Sequence, residues 1–243
     1  MNPLTILELQ IADEFEEINQ SMGSVFHGAL MGLIDTRYAE YLHTINTRPY
    51  SQHLYYDKQR QGWFWHLSSM DEDALMMLLA PASELNSIYI RHKHRRFQII
   101  NREVVAQTTF EELLDNSMDE NEYLKIRLIS PTGFKSNGQY VIYPTPRLVF
   151  GSLLNKWNAF SKIQFDAANL MEKFEKLHIS GYNLQMHSFG VEGVWIPSFK
   201  GDLELSLPKD KDFMKVINTL AMFSNFSGVG IKCALGMGGV KTI

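Results

Sequence analysis

The chain has 243 residues, a formal net charge of -4 and a single cysteine. This length allows one large or two small domains, and one thiol excludes both an internal disulfide and a zinc site built from thiolates. No apolar run approaches the roughly 20 residues of a membrane-spanning helix, and residues 1–13 lack the basic start of a signal peptide, so we expect a cytoplasmic protein that does not bind membranes. The acidic balance argues against nucleic acid as a partner, unless the basic residues gather on one face.

Hydrophobic periodicity predicts the elements of the first half. In chain order they are a strand at 4–11, a helical region at 24–43, strands at 52–56 and 62–68, a helix at 70–80, and strands at 87–90 and 96–108. Asp35 and Thr36 are cap-type residues and predict a break in the helical region. Pro81 predicts the end of the second helix, because the residue before a proline avoids helical geometry. The polar, acidic stretch 115–121 is the predicted domain boundary.

The second half repeats this rhythm. It contains a strand at 123–130, helices at 146–160 and 166–176, a hairpin of strands at 178–189 and 194–207, a helix at 210–226 and a glycine-rich tail. Each half therefore reads β-α-β-β-α-β, which is the ferredoxin-like motif. The predicted fold class is α+β with two tandem ferredoxin-like domains, at residues 1–120 and 121–243. A fold of this kind does not by itself define a function.

The tail carries glycines at 228, 230, 236, 238 and 239, directly after a predicted helix. Glycine lets a ligand approach the backbone, and exposed N–H groups in such a loop can cradle phosphates. A helix C-cap followed by a tight turn would explain one or two of these glycines equally well. A dinucleotide-binding fingerprint fits poorly, since that motif precedes a helix and this one follows one.

This tail resembles the glycine-rich loop of the repeat-associated RNA-binding superfamily of CRISPR proteins, specifically of the Cas6 endoribonucleases. Three further segments resemble the family in the family's order: Tyr41-Leu-His-Thr with Arg48-Pro-Tyr-Ser, Ser130-Pro-Thr-Gly-Phe-Lys, and the stretch 144–158 that opens the first helix of the second half. The resemblance implies two ferredoxin-like domains, a CRISPR repeat RNA as a single-stranded or hairpin substrate, and no cofactor. We expect the tail to bind this RNA through Gly228, Gly230, Lys232, Gly236, Gly238 and Gly239, and we expect no metal site.

Metal-free RNA cleavage uses the 2′-hydroxyl of the RNA as nucleophile, and it needs a base, an acid and a cation near the phosphorane. Histidine suits both proton-transfer roles near neutral pH. His43 is the first candidate, because it matches the histidine of the family's tyrosine-leucine-histidine block. A histidine at a helix end is otherwise most often a cap for the last carbonyl groups.

His27 and Arg48 complete the predicted catalytic group. Related enzymes carry a second catalytic side chain in the helix that holds His27, although a half-buried structural residue is an equal alternative. Sixteen residues of unbroken helix would separate His27 from His43 by about 24 Å, so the two can share a site only if the chain turns near Asp35. Arg48 falls where the family tends to place a charge-stabilising lysine, and its alternative is a solvated loop cation.

Other candidates carry less weight. Tyr41 and Tyr50 are nearby hydrogen-bond donors that also suit a core, and His53 fits a structural role in a strand. The basic run 91–96 suits either phosphate binding or a solvated hairpin, and its two histidines make a weak metal site without a carboxylate or thiolate. Lys241 is a plausible phosphate contact beside the tail. His66, His178 and His187 have no evident role.

Two other functions remain open at this point. A non-catalytic subunit that holds guide RNA within a CRISPR effector complex would share the fold and the glycine loop. A ferredoxin-like protein acting on a small anionic metabolite would bind no RNA. The sequence also leaves open contacts with other effector subunits and a homodimer.

Overall fold

The computed structural model describes residues 2–13, 18–117, 121–191 and 193–242. The first half begins with a strand and two helices, and it ends with a long strand and a short helix. Its elements are β1 (Leu4–Ile11), α1 (Gly23–Met31), α2 (Thr36–Thr44), β2 (Tyr50–Asp57), β3 (Gly62–Ser69), α3 (Glu72–Ala74), α4 (Ala80–Ser83), β4 (Ser87–Ile90), β5 (Arg95–Thr108) and α5 (Phe110–Asp115).

These strands form one antiparallel sheet in the order β2-β3-β1-β5-β4. The first four strands of that order correspond to the 2-3-1-4 arrangement of a ferredoxin-like fold, and β4 is an addition at the edge. The predicted boundary at 115–121 includes residues 118–120, which lie outside the described residues.

The helical region breaks where the sequence predicts. α1 ends at Met31 and α2 begins at Thr36, because the Asp35 side chain caps α2 by accepting hydrogen bonds from the N–H groups of Arg37 and Tyr38 at 2.9 and 3.2 Å. The chain therefore turns between α1 and α2, and the two do not form one continuous helix.

Pro81 does not end its helix, so that expectation is wrong. A π-helical turn at Leu75–Leu79 precedes α4, and within it the Ala80 N–H donates to the Leu75 carbonyl oxygen five residues earlier. The wider turn changes the hydrogen-bond pattern just before the proline, which then occupies the first turn of α4, where its missing N–H costs little.

The second half has the same plan with a longer hairpin. Its elements are β6 (Tyr123–Thr132), β7 (Phe134–Ser136), β8 (Gln139–Val141), α6 (Pro146–Phe160), α7 (Ala167–Glu175), β9 (His178–Val191), β10 (Val194–Ser206), α8 (Lys211–Ser227) and β11 (Val240–Thr242). Its main sheet has the order β11-β6-β10-β9, which is again the ferredoxin-like arrangement. Two tandem ferredoxin-like folds are therefore present, as the sequence predicts.

The two halves share one hydrophobic core. Leu4, Ile6 and Met70 of the first half are buried in the same cluster as α6 and α8 of the second half. A second cluster lies between the first sheet and the helices α1 and α2, and Ala234 of the glycine-rich segment packs into it. Across the residues that the structure describes, no helix is long and apolar enough to cross a membrane.

Candidate functional site

A groove of about 1530 Å³ runs between the two halves. The first half contributes α1, the loop between α2 and β2, and β4. The second half contributes α6, the turn between β9 and β10, and the glycine-rich segment after α8. The groove is therefore built from elements far apart in the sequence, and the candidate residues His27, His43, Arg48, Gly230 and Lys232 all line it.

His27 lies half-buried on α1, where its Nδ1 is 3.2 Å from the hydroxyl oxygen of Tyr50. Tyr50 is the first residue of β2 and is buried. Burial raises the pKa of the Tyr50 hydroxyl, so the hydroxyl keeps its proton at neutral pH. The tyrosine therefore holds one nitrogen of His27 and leaves the other, Nε2, for a different partner.

His43 is exposed in the last turn of α2, and Arg48 lies in the loop that follows. Both line the same groove as His27 because the chain turns between α1 and α2. Burial, and then the positive charges of His43 and Arg48, lower the pKa of His27 to about 4. His27 is therefore neutral at pH 7, and its two predicted partners are near enough to act on it electrostatically.

The glycine-rich segment mostly donates its amides to the protein itself. Gly228 N–H bonds to the Ser224 carbonyl, Gly230 N–H to Ser152 Oγ, Gly238 N–H to the Pro131 carbonyl and Gly239 N–H to Ser130 Oγ, at 2.7 to 3.0 Å. Of the five glycines only Gly230 lines the groove. The segment is thus a tightly hydrogen-bonded loop. The amides of Gly228, Gly230, Gly238 and Gly239 are already bonded within the protein, so we expect the loop to influence ligand binding through its shape.

Gly236 shows why this loop needs glycine. Its φ is +112°, and a Cβ added there would lie 2.7 Å from Cα of Gly23, the first residue of α1. The side chain of Gln52 joins the same two segments, because its Nε2 donates to the carbonyl oxygens of Gly23 at 2.9 Å and Ala234 at 3.1 Å. The loop therefore sets the position of α1, the helix that carries His27.

The groove is strongly basic although the chain as a whole is acidic. Its charged lining residues, among the residues the structure describes, are Arg48, Arg91, Lys156 and Lys232, with no aspartate or glutamate. Lys156 also holds the loop, since its Nζ donates to the carbonyl oxygens of Ser227 and Gly228 at 2.9 Å each. Lys232 is exposed. The objection from net charge is removed for this groove, because basic residues are concentrated on its walls.

Sequence reasoning did not select Lys156 or Trp195 for this groove. Lys156 lies within the segment 144–158 that resembles the family, so the signal was present without pointing to one residue. Trp195 lies at the start of β10 and is 68% exposed, which a strand pattern does not reveal. Tyr50 was considered only as a nearby donor, and its contact with His27 depends on how β2 meets α1.

The remaining candidates lie elsewhere or have structural contacts. His53 is buried on β2, where its ring stacks on that of His66 with the centroids 4.4 Å apart. Arg91 lines the groove within an exposed turn that also holds Lys93 and His94, whereas the side chain of His92 lies outside the described residues. Tyr41, His178, His187 and Lys241 are not among the lining residues. Within the described ranges, no group of three or more His, Cys, Asp or Glu side chains could hold a metal ion.

Comparison with known proteins agrees with this architecture. The family model described as CRISPR-associated endoribonuclease Cas6 matches residues 126–240. A Streptococcus thermophilus protein named CRISPR-associated endoribonuclease Cas6 is 34% identical over 227 residues, which are 91% of this chain and 91% of that protein. A Mycobacterium tuberculosis protein of the same name is 27% identical over 232 residues, covering 91% of this chain and 71% of that protein.

Solved structures show the same fold. A Cas6 product complex has a TM-score of 0.82 and 23% identity, with all of both chains covered. A Thermus thermophilus Cas6 has a TM-score of 0.78 and 23% identity, covering 100% of this chain and 99% of the other. The fold and the groove thus define a tandem ferredoxin-like protein with a basic cleft between its halves. The sequence identity is specific enough to go further: the chain belongs to the Cas6 family of CRISPR-associated endoribonucleases.

Proposed function

We propose that this chain is a metal-independent endoribonuclease that cleaves precursor CRISPR RNA within its repeats and so releases guide RNAs. One observation carries the proposal. An acidic chain gathers four lysine or arginine side chains and two histidines along one groove, and its described lining has no carboxylate. Such a groove attracts a phosphate backbone, and histidines beside it can transfer the protons of RNA cleavage.

His27 is the proposed general base. The 2′-hydroxyl of the nucleotide before the cut attacks the adjacent phosphorus, and its proton passes to Nε2 of His27. The pKa of about 4 keeps His27 neutral, which is the form that accepts a proton. In the productive tautomer Nδ1–H donates to the Tyr50 hydroxyl oxygen, so that Nε2 carries no hydrogen. Tyr50 is therefore a positioning residue in this scheme.

His43 is the proposed general acid and Arg48 the charge-stabilising group. His43 is exposed on the groove wall and can reach a substrate without displacing protein contacts. It donates a proton to the 5′-oxygen as the phosphorus–oxygen bond breaks, leaving a 5′-hydroxyl and a 2′,3′-cyclic phosphate. The guanidinium of Arg48 stabilises the additional negative charge on the phosphorane oxygens.

RNA binding is proposed to follow the basic wall from Arg48 to Lys232. The loop that contains Gly228, Gly230, Gly236, Gly238 and Gly239 contributes by keeping Lys232 and α1 in place. Replacing Lys232 by alanine should reduce the salt dependence of binding, because fewer counterions are released from the RNA. Substitution of Gly236 by valine would instead test the fold, since its side chain would collide with Gly23.

The test is incubation with repeat RNA from the CRISPR array of the organism that encodes the chain, in excess EDTA. We expect one cut per repeat and products ending in a 5′-hydroxyl and a 2′,3′-cyclic phosphate. RNA with deoxyribose at the cut position should bind with unchanged affinity and stay intact, because only the nucleophile is missing. A requirement for added magnesium would contradict the mechanism, and binding without any cleavage would identify a guide-RNA-holding subunit instead.

A further inference from the structure

We propose that Trp195 forms a nucleobase-stacking site at the rim of the groove, an inference that rests on the proposed function. Trp195 lies at the start of β10 and is 68% exposed, yet it lines the same groove as His27 and His43. A large indole left open to solvent beside a basic groove is the combination by which proteins hold unpaired bases. Stacking on an aromatic ring tolerates every base, because each has a flat π-face.

The position of the indole is set by strand pairing. Trp195 pairs with Gly190 across the β9–β10 hairpin, and a Cβ added at Gly190 would lie 3.5 Å from Cζ3 of the indole. The ring thus lies beside Gly190 at a distance where a methyl group would be in ordinary van der Waals contact, and no side chain occupies that space. A position set before the ligand arrives reduces the entropy lost on binding.

The end of the hairpin is also anchored to the rest of the site. Phe189, Val191 and Ile196 are buried in a small cluster with Met237 of the glycine-rich segment. Ser24 Oγ lies 3.4 Å from the Gly190 carbonyl oxygen and 3.4 Å from the Ser21 carbonyl oxygen, and its single proton can be donated to either. Ser24 lies three residues before His27 on α1, so the hairpin end that carries Trp195 lies next to the helix of His27.

The charge of the groove favours RNA over a protein surface as the occupant. Arg48, Arg91, Lys156 and Lys232 line the groove with the tryptophan, and its described lining lacks acidic groups. The ring then contributes an uncharged contact within an electrostatic site. We infer that Trp195 stacks on an unpaired base of the repeat RNA, and that it thereby positions the strand as it enters the groove.

Tryptophan fluorescence gives a readout that a purely structural role would not produce. Trp157 is fully buried, Trp65 is also fully buried although it backs the groove, and Trp63 does not line it. Quenching by RNA should therefore come mainly from the exposed Trp195, and any contribution from Trp65 would persist in Trp195→Phe. The probe is repeat RNA that carries deoxyribose at the cut position. That position is first mapped by cleavage of ordinary repeat RNA with the wild-type protein. We expect this RNA to quench the wild-type emission, and most of the quenching to disappear in Trp195→Phe.

Affinity should follow the aromatic surface. Trp195→Ala should weaken binding about 5- to 150-fold, the range expected for losing one base–aromatic stack, and Trp195→Phe should lose less. The matched control is Tyr182→Ala, because Tyr182 is 74% exposed on the same hairpin but is not among the lining residues, so it should bind like wild type. Thermal unfolding of each variant establishes that the fold is retained.

The outcomes separate this inference from the proposed function. If the wild type cleaves repeat RNA but Trp195→Ala binds it equally well, the stacking site is wrong and the nuclease stands. An equal loss in Tyr182→Ala, or quenching that persists undiminished in Trp195→Phe, would also overturn it. Emission that changes with protein concentration in the absence of RNA would assign Trp195 to a contact between copies of the chain. If the wild type neither binds nor cleaves the RNA, both proposals fail.

Discussion

The hydroxyl oxygen of Tyr50 lies 3.2 Å from Nδ1 of His27, and the planes of the two rings differ by only 12°. Tyr50 begins β2 and His27 lies on α1, so this contact joins a strand and a helix of the first half. Because the tyrosine is buried, the contact is shielded from competing water. It fixes which nitrogen of the imidazole faces the groove.

Removing the Tyr50 hydroxyl should therefore affect catalysis more than stability. In Tyr50→Phe the ring still fills its site, but His27 can adopt either tautomer. We expect cleavage at saturating RNA to slow by about tenfold, within the contribution of a general base, while RNA affinity stays unchanged. Nitrogen-15 spectra of His27 should show the altered tautomer. The same change at exposed Tyr140 is the control, and a Tyr50→Phe enzyme with wild-type rate would remove the positioning role.

Replacing His43 or His27 should slow cleavage, whereas replacing a histidine outside the groove should not. His43→Ala and His27→Ala should each slow single-turnover cleavage by about 10² to 10⁴, as expected for one proton-transfer group, with little change in RNA affinity. Arg48→Ala should also slow the reaction, and it acts on charge. His178→Ala should cleave at the wild-type rate, since His178 is exposed outside the groove lining. A wild-type rate in His27→Ala would leave His27 as a structural residue.

The pH dependence of cleavage should reflect the environment of His27. Its pKa is about 4, so the base remains neutral until the pH falls to that region, and its protonation should not limit the rate at pH 5 to 6. In His43→Ala one of the positive charges that lower the pKa of His27 is gone, so we expect that pKa to rise. Histidine ring signals followed by NMR during a pH titration measure this directly. An unchanged His27 pKa in that variant would mean that the two side chains do not interact.

Protein stability should fall on the acid side because of His53. Burial, followed by the charge of the stacked His66, lowers the pKa of His53 well below its ordinary value, and the nearby Glu8 carboxylate opposes this only in part. The unfolded chain therefore binds a proton at about pH 6.5 that the folded chain does not bind. Stability is fully present above that pH and is lost as the pH falls, by at most about 1.4 kcal/mol per pH unit for this group.

Urea unfolding between pH 7 and pH 5 measures this effect. The free energy of unfolding should fall less steeply with acidification in His53→Leu than in wild type, because the variant lacks the titrating group. His178→Leu, at an exposed position, should keep the wild-type slope. Equal slopes in all three proteins would show that folding does not lower the pKa of His53.

Local signals made much of the fold predictable. Thr145 caps α6 and Pro146 opens it, so the start of this helix could be read directly from the sequence, and Asp35 marked the break before α2. The β7–β8 hairpin was missed although Asn137-Gly138, with φ of +49° and +80°, is a typical two-residue hairpin turn. The helix through Pro81 could not be foreseen, since a π-helical turn depends on tertiary packing.

The residues of the site were predictable only where the side-chain type itself indicates a catalytic role. Histidines and an arginine can be selected from the sequence, and His27, His43 and Arg48 do lie along one groove. The glycines were expected to offer amides, but hydrogen bonds to Ser130, Ser152 and backbone carbonyls use four of them, and sequence cannot reveal partners so distant. The place of Trp195 also depends on how the hairpin end docks on α1.

The close approach of Gly23 to Gly236 limits how freely the two halves of such a chain can vary. A chimaera that joins residues 1–117 to the second half of a relative would take α1 from this chain. It would take the glycine-rich segment against which α1 packs from the relative. Unless glycine is kept at both positions, the helix must move outward and carry His27 with it. Each half has a complete topology of its own, yet a substitution at either of these two glycines requires a compensating change in the other half.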